Sequence, residues 1–314
     1  MSRSRVTMAV GFFVLFAANR VCALGDPIKW MDDSEAAVAV AQKSSLPILF
    51  LVLPPSDAPE TVKDKAAAPF RNPAIARLVS EKFVAVRLRE SKATKRLLKR
   101  LDASNAEYGS AVVVTPGGGQ VDIIVTEDAQ DTGVLAQKLA EAFGKYQAKV
   151  LADSVAPVLE NDVAKSDALL KSLGLVKKLA ISEADEATAK LLDRENLPDA
   201  VRSAVYDTLA ALSTKKAVAK LLDAGLQDEK AADALRSCTP AGAAALLPAL
   251  KLDDRERLVL AYDAMIAICA VSKAKPTEFW QGDDEKSQTA EIERMKAQVS
   301  ACAESWRASR KYSD

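Results

Sequence analysis

Leu46-Pro47-Ile48-Leu49-Phe50-Leu51-Val52-Leu53, followed by Pro54-Pro55-Ser56-Asp57-Ala58-Pro59-Glu60-Thr61, is the stretch that decides the fold. An unbroken apolar run between prolines reads as a strand buried on both faces, the central one of a sheet. A strand of that kind carries the segment after it to the carboxyl edge of the sheet, where open α/β sheets place their ligands. That segment, 54–61, holds no cysteine, and the whole 314-residue chain holds no histidine.

Working outward, Trp30 opens the region, and Ser34 is the expected N-cap of a helix over 34–43 with Ala36, Ala37, Val40 and Ala41 on one face. A helical stretch is expected over 60–68. Asn72-Pro73 then starts another helix, Asn as cap and Pro at the tolerated first position, with Ile75, Leu78 and Val79 as its apolar stripe. Strand 83–88 follows across a helical crossover, which makes it a parallel neighbour of the first strand. Residues 91–101 read as a short basic helix with Leu97, Leu98 and Leu101 inward. Strands 111–115 and 121–125 form a hairpin around Pro116-Gly117-Gly118-Gly119, and a helix over 132–146 packs Val134, Leu135, Leu139, Ala142 and Phe143 on the sheet. The glycine run lies between two strands, so it is a hairpin turn and not a phosphate cradle.

This order resembles the thioredoxin-like fold, and most closely its secreted bacterial branch. The resemblance rests on Trp30 before the first helix, Leu46–Phe50 as central strand, Asn72-Pro73 through Phe83-Val84 as helix then strand, and Thr115-Pro116-Gly117-Gly118 as hairpin turn. It implies an α/β domain, a mixed sheet flanked by helices, over 24–147. The family's chemistry needs a Cys-x-x-Cys where the helix after the central strand begins, because the helix dipole and free N–H groups stabilise a thiolate there. Residues 54–61 lack it. The family's cis-proline before the hairpin is replaced by Tyr108-Gly109-Ser110-Ala111. A scaffold without redox work is the expectation, with no catalytic, cofactor-binding or metal-binding residue assigned. Ser56 and Asp57 are read as helix-cap or turn residues. A nucleophilic role would need Lys63 or Lys65 as base, and nothing in the sequence singles either out.

The second half is helical throughout. Leu197-Pro198-Asp199-Ala200-Val201-Arg202, Leu226-Gln227-Asp228-Glu229-Lys230-Ala231 and Leu252-Asp253-Asp254-Arg255-Glu256-Arg257 each open with a leucine, an Asp suited to cap a helix, and an apolar-periodic run. Val201, Ala204, Val205, Leu209 and Leu212 continue the first, and Ala217, Val218, Leu221 and Leu222 its second helix. Ala231, Ala234, Leu235, Ala243, Leu246, Leu247 and Leu250 serve the next unit. Residues 150–195, with Leu169, Leu170, Leu173, Val176 and Leu179, read as an earlier degenerate unit. Two short helices per unit resemble HEAT-like repeats over 148–275, which bury their apolar faces by stacking. An irregular helical bundle is the alternative. After Pro276-Thr277-Glu278-Phe279-Trp280, a long polar helix begins at Asp283-Asp284-Glu285, its stripe Ile292, Met295, Val299, Cys302, Ala303 and Trp306. Over 276–314 it reads as a cap on the last repeat or as a homodimerising coiled coil, with Arg307, Arg310 and Lys311 complementing the helix dipole at its end.

At the other end, Arg3 and Arg5 precede an apolar run over 8–18, and Val21-Cys22-Ala23 offers small residues for cleavage. This is the pattern of a signal peptide over 1–23, cleaved after Ala23, and it places the protein in a secreted or periplasmic compartment. An uncleaved N-terminal anchor is the alternative. Cleavage leaves Cys238, Cys269 and Cys302, too few for a disulfide framework, with a Cys269–Cys302 bridge open beside plain core packing. It also leaves 40 basic against 43 acidic residues, a mixed balance that gives no electrostatic case for nucleic acid. Surfaces remain as the functional asset. A non-enzymatic protein-interaction scaffold is expected, then an accessory chaperone-like or redox-pathway factor binding extended polypeptides, then a serine or carboxylate hydrolase.

Overall fold

The computed structural model describes residues 28–309. The signal segment expected over 1–23, Cys22 with it, and the terminal cations Arg310 and Lys311 lie outside those residues. No described helix is long and apolar enough to cross a membrane.

The chain opens with α1 (Ser34–Ser44), β1 (Ile48–Leu53), α2 (Glu60–Ala67), α3 (Pro73–Lys82), β2 (Val84–Arg89), α4 (Lys92–Arg100), β3 (Ala111–Val114), β4 (Gln120–Ile124), α5 (Thr126–Gln130) and α6 (Thr132–Val150). The four strands form one sheet in the order β2-β1-β3-β4, β1 parallel to β2 and antiparallel to β3, and β3 antiparallel to β4. All six β1 side chains are buried. Period-two alternation sends Leu49, Leu51 and Leu53 into a core with α3 and α6, and Ile48, Phe50 and Val52 into a second core with α1 and α4. Each such side chain contributes about 1.5–3 kcal/mol by leaving water, so β1 anchors both layers. Met31 extends the sheet beyond β2: its N–H donates to Ala85 O at 2.9 Å, and its carbonyl accepts from Arg87 N at 2.8 Å.

Several local details differ from the sequence reading. Asp33, not Ser34, caps α1, its Oδ1 accepting from Glu35 N at 2.8 Å and Ala36 N at 3.2 Å. A carboxylate one residue earlier reaches two free N–H groups and also opposes the helix dipole. Neither Ser56 nor Asp57 caps α2; Pro59 stands at the N-cap with no side-chain bond, and both residues lie in a turn closed by Ala58 N donating to Pro55 O at 3.1 Å. Asn72 caps α3 as expected. Val134 is exposed, whereas Leu135, the next residue of α6, is fully buried.

The helical half continues α6 through a π turn at Leu151–Val155, then α7 (Ala156–Leu159), α8 (Ser166–Leu179), α9 (Asp185–Lys190), α10 (Asp199–Leu212), α11 (Lys215–Gly225), α12 (Glu229–Arg236), α13 (Pro240–Leu246), α14 (Arg255–Cys269), α15 (Thr277–Gln281) and α16 (Glu285–Ser309). Helices α8, α10, α12 and α14 pack in series as one layer, and α9, α11, α13 and α16 as a second beneath it. Three helices of the first layer, α8, α10 and α14, end on Ala180, Ser213 and Ala270 in the left-handed conformation, the same terminating turn each time. Asp228 and Asp254 cap α12 and α14 as expected, but Asp199 is the first residue of α10, and Pro198 occupies the cap. Leu170 is exposed, whereas Leu169, Leu173, Val176 and Leu179 are buried. On α16, Ile292, Met295, Val299 and Ala303 are buried, and the helix packs on α13 and α14. Cys302 and Trp306, the remaining members of that stripe, are half-buried.

One apolar core runs from Leu49 and Leu51 through Phe143 and Tyr146 to Val176, Leu209 and Met295. Gln147, on α6, ties the two halves by donating to Leu179 O at 2.6 Å.

Candidate functional site

The carboxyl ends of β1 and β2 deliver the loop 54–61, Glu90 and the start of α4 to one edge of the sheet, beside the 106–110 loop that leads into β3. Gly109 N donates to Val52 O at 2.8 Å and Val52 N to Ser110 O at 3.0 Å, so the 106–110 loop is pinned to the end of β1. Gly109 holds φ +87°, and a Cβ there would sit 3.3 Å from Thr126 Cγ2. The close approach of this loop to α2 and α5 therefore needs glycine. Thr126 Oγ1 donates to Tyr108 O at 2.8 Å and lies 3.2 Å from Ser110 Oγ. Tyr108 Oη donates to Glu90, whose other oxygen pairs with Lys95 Nζ at 2.6 Å.

This network was not legible in the sequence, since its members come from four separate segments. It is fully engaged with itself and supplies no free base. Ser56 and Asp57 are exposed on the turn. Lys63 pairs with Glu60 at 3.4 Å, and no bond joins it to Ser56. Among the described residues no group of three His, Cys, Asp or Glu side chains is arranged to hold a metal ion. What the edge does present is apolar surface: Val62 on α2, Tyr108, and Val125 before α5 are all exposed.

The three cysteines of the described chain are unbonded. Cys238 is buried under α12, where desolvation pushes its thiol up to about 11. Cys269 at the end of α14 and Cys302 on α16 interact thiol to thiol. Burial, and then that neighbour, push Cys269 up to about 12. Cys238 and Cys269 therefore hold their protons at neutral pH and are poor nucleophiles.

A second buried network lies under α16. Tyr262 Oη donates to Glu291 Oε1 at 2.5 Å and accepts from Lys275 N at 2.9 Å, while Arg294 Nε donates to Glu291 Oε2 at 2.7 Å. Burial opposes the charge on Glu291, but the bonds from Arg294 and Tyr262 outweigh it and hold the carboxyl below its ordinary value. Tyr262 and Glu291 are buried and Arg294 is partly exposed over them, and together they fasten α16 to α14.

Of the larger cavities, one of about 650 Å³ lies at Glu160, Asp162, Glu186, Lys190, Asp193 and Arg194. Several of its charges are paired: Glu186 with Lys216 at 2.9 Å and Lys190 at 3.0 Å, and Asp193 with Lys220 at 2.6 Å. Lys216 and then Lys190 hold the Glu186 carboxyl at about 2. A cleft of about 360 Å³ separates the sheet half from the helical layers, between Lys82, Phe143, Leu212 and Trp306. No family model, curated protein or solved structure matches the chain.

Proposed function

We propose that the protein is a non-enzymatic interaction scaffold of the secreted or periplasmic space, made of a thioredoxin-like domain without its redox motif and an array of HEAT-like repeats. The observation that carries this reading is the serial stacking of α8, α10, α12 and α14 over α9, α11, α13 and α16. Such an array offers a long surface of exposed side chains that no compact domain of the same size provides. The strand order β2-β1-β3-β4, with β1 central and parallel to β2, supports the thioredoxin-like part. The thiol-free turn at 55–58 supports the loss of redox chemistry. Two experiments test the reading. Cross-linking of the mature protein in envelope extract, followed by capture, should give a stoichiometric protein partner. Insulin reduction by the purified protein should stay at background; turnover that survives replacement of Cys238, Cys269 and Cys302 would sink it.

A second reading has one observation in its favour. Val62, Tyr108 and Val125 leave apolar surface exposed around the 54–61 turn, as an accessory factor that holds extended polypeptides requires. Suppression of client aggregation, lost on changing Val62 and Tyr108 to Ser, would support it over the scaffold reading.

A further inference from the structure

Between residues 87 and 100 the chain carries Arg87, Arg89, Lys92, Lys95, Arg96, Lys99 and Arg100 against the single carboxylate of Glu90, although its total charge is balanced. Lys92, Lys95, Arg96, Lys99 and Arg100 recur at the spacing of one helical face and are exposed along α4. The opposite face of α4 is inward, with Leu98 buried and Leu97 packed on the core below the sheet. Arg87 pairs with Asp32 at 3.3 Å and Lys95 with Glu90 at 2.6 Å. Arg89, Lys92, Arg96, Lys99 and Arg100 have no ion pair among the described residues. This contrasts with the acidic cavity on the helical half, whose lining cations Lys190 and Arg194 both have an acidic partner. Beside the stripe runs a groove of about 610 Å³, with Arg87, Arg89 and Arg100 on its walls, the hydroxyl residues Ser91 and Thr94 between them, and Asp32 as its one acid.

We infer that the α4 face and this groove form the docking site for an acidic, extended polypeptide segment. The inference rests on the scaffold reading only in taking the partner to be a protein. Unpaired cations held on one face lower the free energy of an anion laid along it, and they accelerate its approach. The stripe from Lys92 to Arg100 is about 12 Å long at 1.5 Å per residue, with rungs about 5–6 Å apart. An extended chain repeats its same-side residues every ~6.7 Å, so alternate Asp or Glu side chains fall within reach of flexible Lys and Arg stems. Arginine forks on the groove walls suit carboxylates in a bidentate manner. A lipid surface fits less well, because none of the exposed large apolar side chains lies on α4 to enter the acyl region. Nucleic acid fits less well too: the exposed aromatic near the stripe is Tyr108, its hydroxyl held by Glu90 beside Lys95, and one ring stacks a single base where single-strand binding uses successive ones.

The test is fluorescence anisotropy of a labelled octaglutamate peptide with the full-length mature protein, with octaglutamine as control. Binding of octaglutamate alone is expected, weakening as salt rises past the point where the Debye length falls below about 8 Å. Lys92→Gln/Arg96→Gln/Lys99→Gln should weaken it by roughly eightfold, at about twofold for each exposed contact removed. Lys216→Gln/Lys220→Gln, whose cations are already paired on the helical half, should leave it unchanged. Equal binding by the α4 variant with an unchanged circular dichroism spectrum overturns the inference. So does tighter binding of anionic vesicles or of a single-stranded oligonucleotide than of octaglutamate. Either failure leaves the scaffold reading to its own cross-linking test, which does not depend on α4.

Discussion

Replacing Glu291 by Gln tests whether the buried polar network fastens α16 to the array. Glu291 is 5% exposed and accepts from Tyr262 Oη, Arg294 Nε and Arg294 Nη2. Gln keeps the shape, removes the charge and turns an amide donor toward at least one donor. A hydrogen bond to an ionised group contributes about 1.5–3 kcal/mol against about 1 kcal/mol for a neutral pair. Three contacts, each losing about 0.5–1 kcal/mol and discounted because Arg294 is partly exposed, give a loss of roughly 2 kcal/mol. In a chain of this size that lowers Tm by about 3 °C. The pH dependence has a definite sign. The folded carboxyl titrates below its ordinary value of 4.5, so its contribution is complete above that value and is lost as pH falls through the lower, folded one. The gap between wild type and variant should therefore be full at neutral pH and close in acid. Urea unfolding followed by tryptophan emission suits the measurement, because Trp280 is 1% exposed and stacks edge-on against Tyr262 at 4.8 Å. Equal midpoints at neutral pH, or a gap that persists undiminished well below pH 4.5, would refute the reasoning.

Other outcomes follow from the same contacts. Gly109→Ala forces a side chain into φ +87° and against Thr126, and should cost about 1–2 kcal/mol in denaturant unfolding; an unchanged midpoint would mean the 106–110 loop is not held as described. Asn72→Ala removes the acceptor for Ala74 N at 2.9 Å and should cost about 1 kcal/mol by the same measurement. The raised Tyr262 and Tyr146 hydroxyls, both pushed up to about 12 chiefly by burial, contribute stability below the ordinary value of 10 that is lost as pH rises from there toward 12. Tyr262→Phe should flatten part of that alkaline loss. Alkylation followed by mass spectrometry should find Cys238, pushed up to about 11, reacting in the native protein at least roughly tenfold slower than in the unfolded chain; equal rates would contradict its burial.

Legibility in the sequence followed the range of the interaction. The apolar run 46–53, the Asn72-Pro73 cap and the hairpin turn each act over a few residues, and each element stands within one or two residues of where its pattern put it. Caps were less secure where two candidates adjoin: Asp33 displaces Ser34 because it reaches two N–H groups, and Pro198 and Pro59 take cap positions from nearby acids. The short helix α5 left no readable period, since five residues make little more than one turn.

The sequence by itself determined the central strand, the absence of thiols at 54–61, the helical second half and the basic spacing of α4, because composition and period are local properties. Only the tertiary structure decided which charges are satisfied. Glu291 and Tyr262 lie on helices remote in sequence, yet packing buries them together with Arg294 partly covering the pair. Glu186 and Asp193 pair with Lys216 and Lys220 of the adjacent helix, while of the α4 cations only Lys95 has an ion pair among the described residues. Pairing is a matter of distances between segments remote in sequence, and Coulomb energy falls with distance and with screening by water. No count of residues along the chain contains that information.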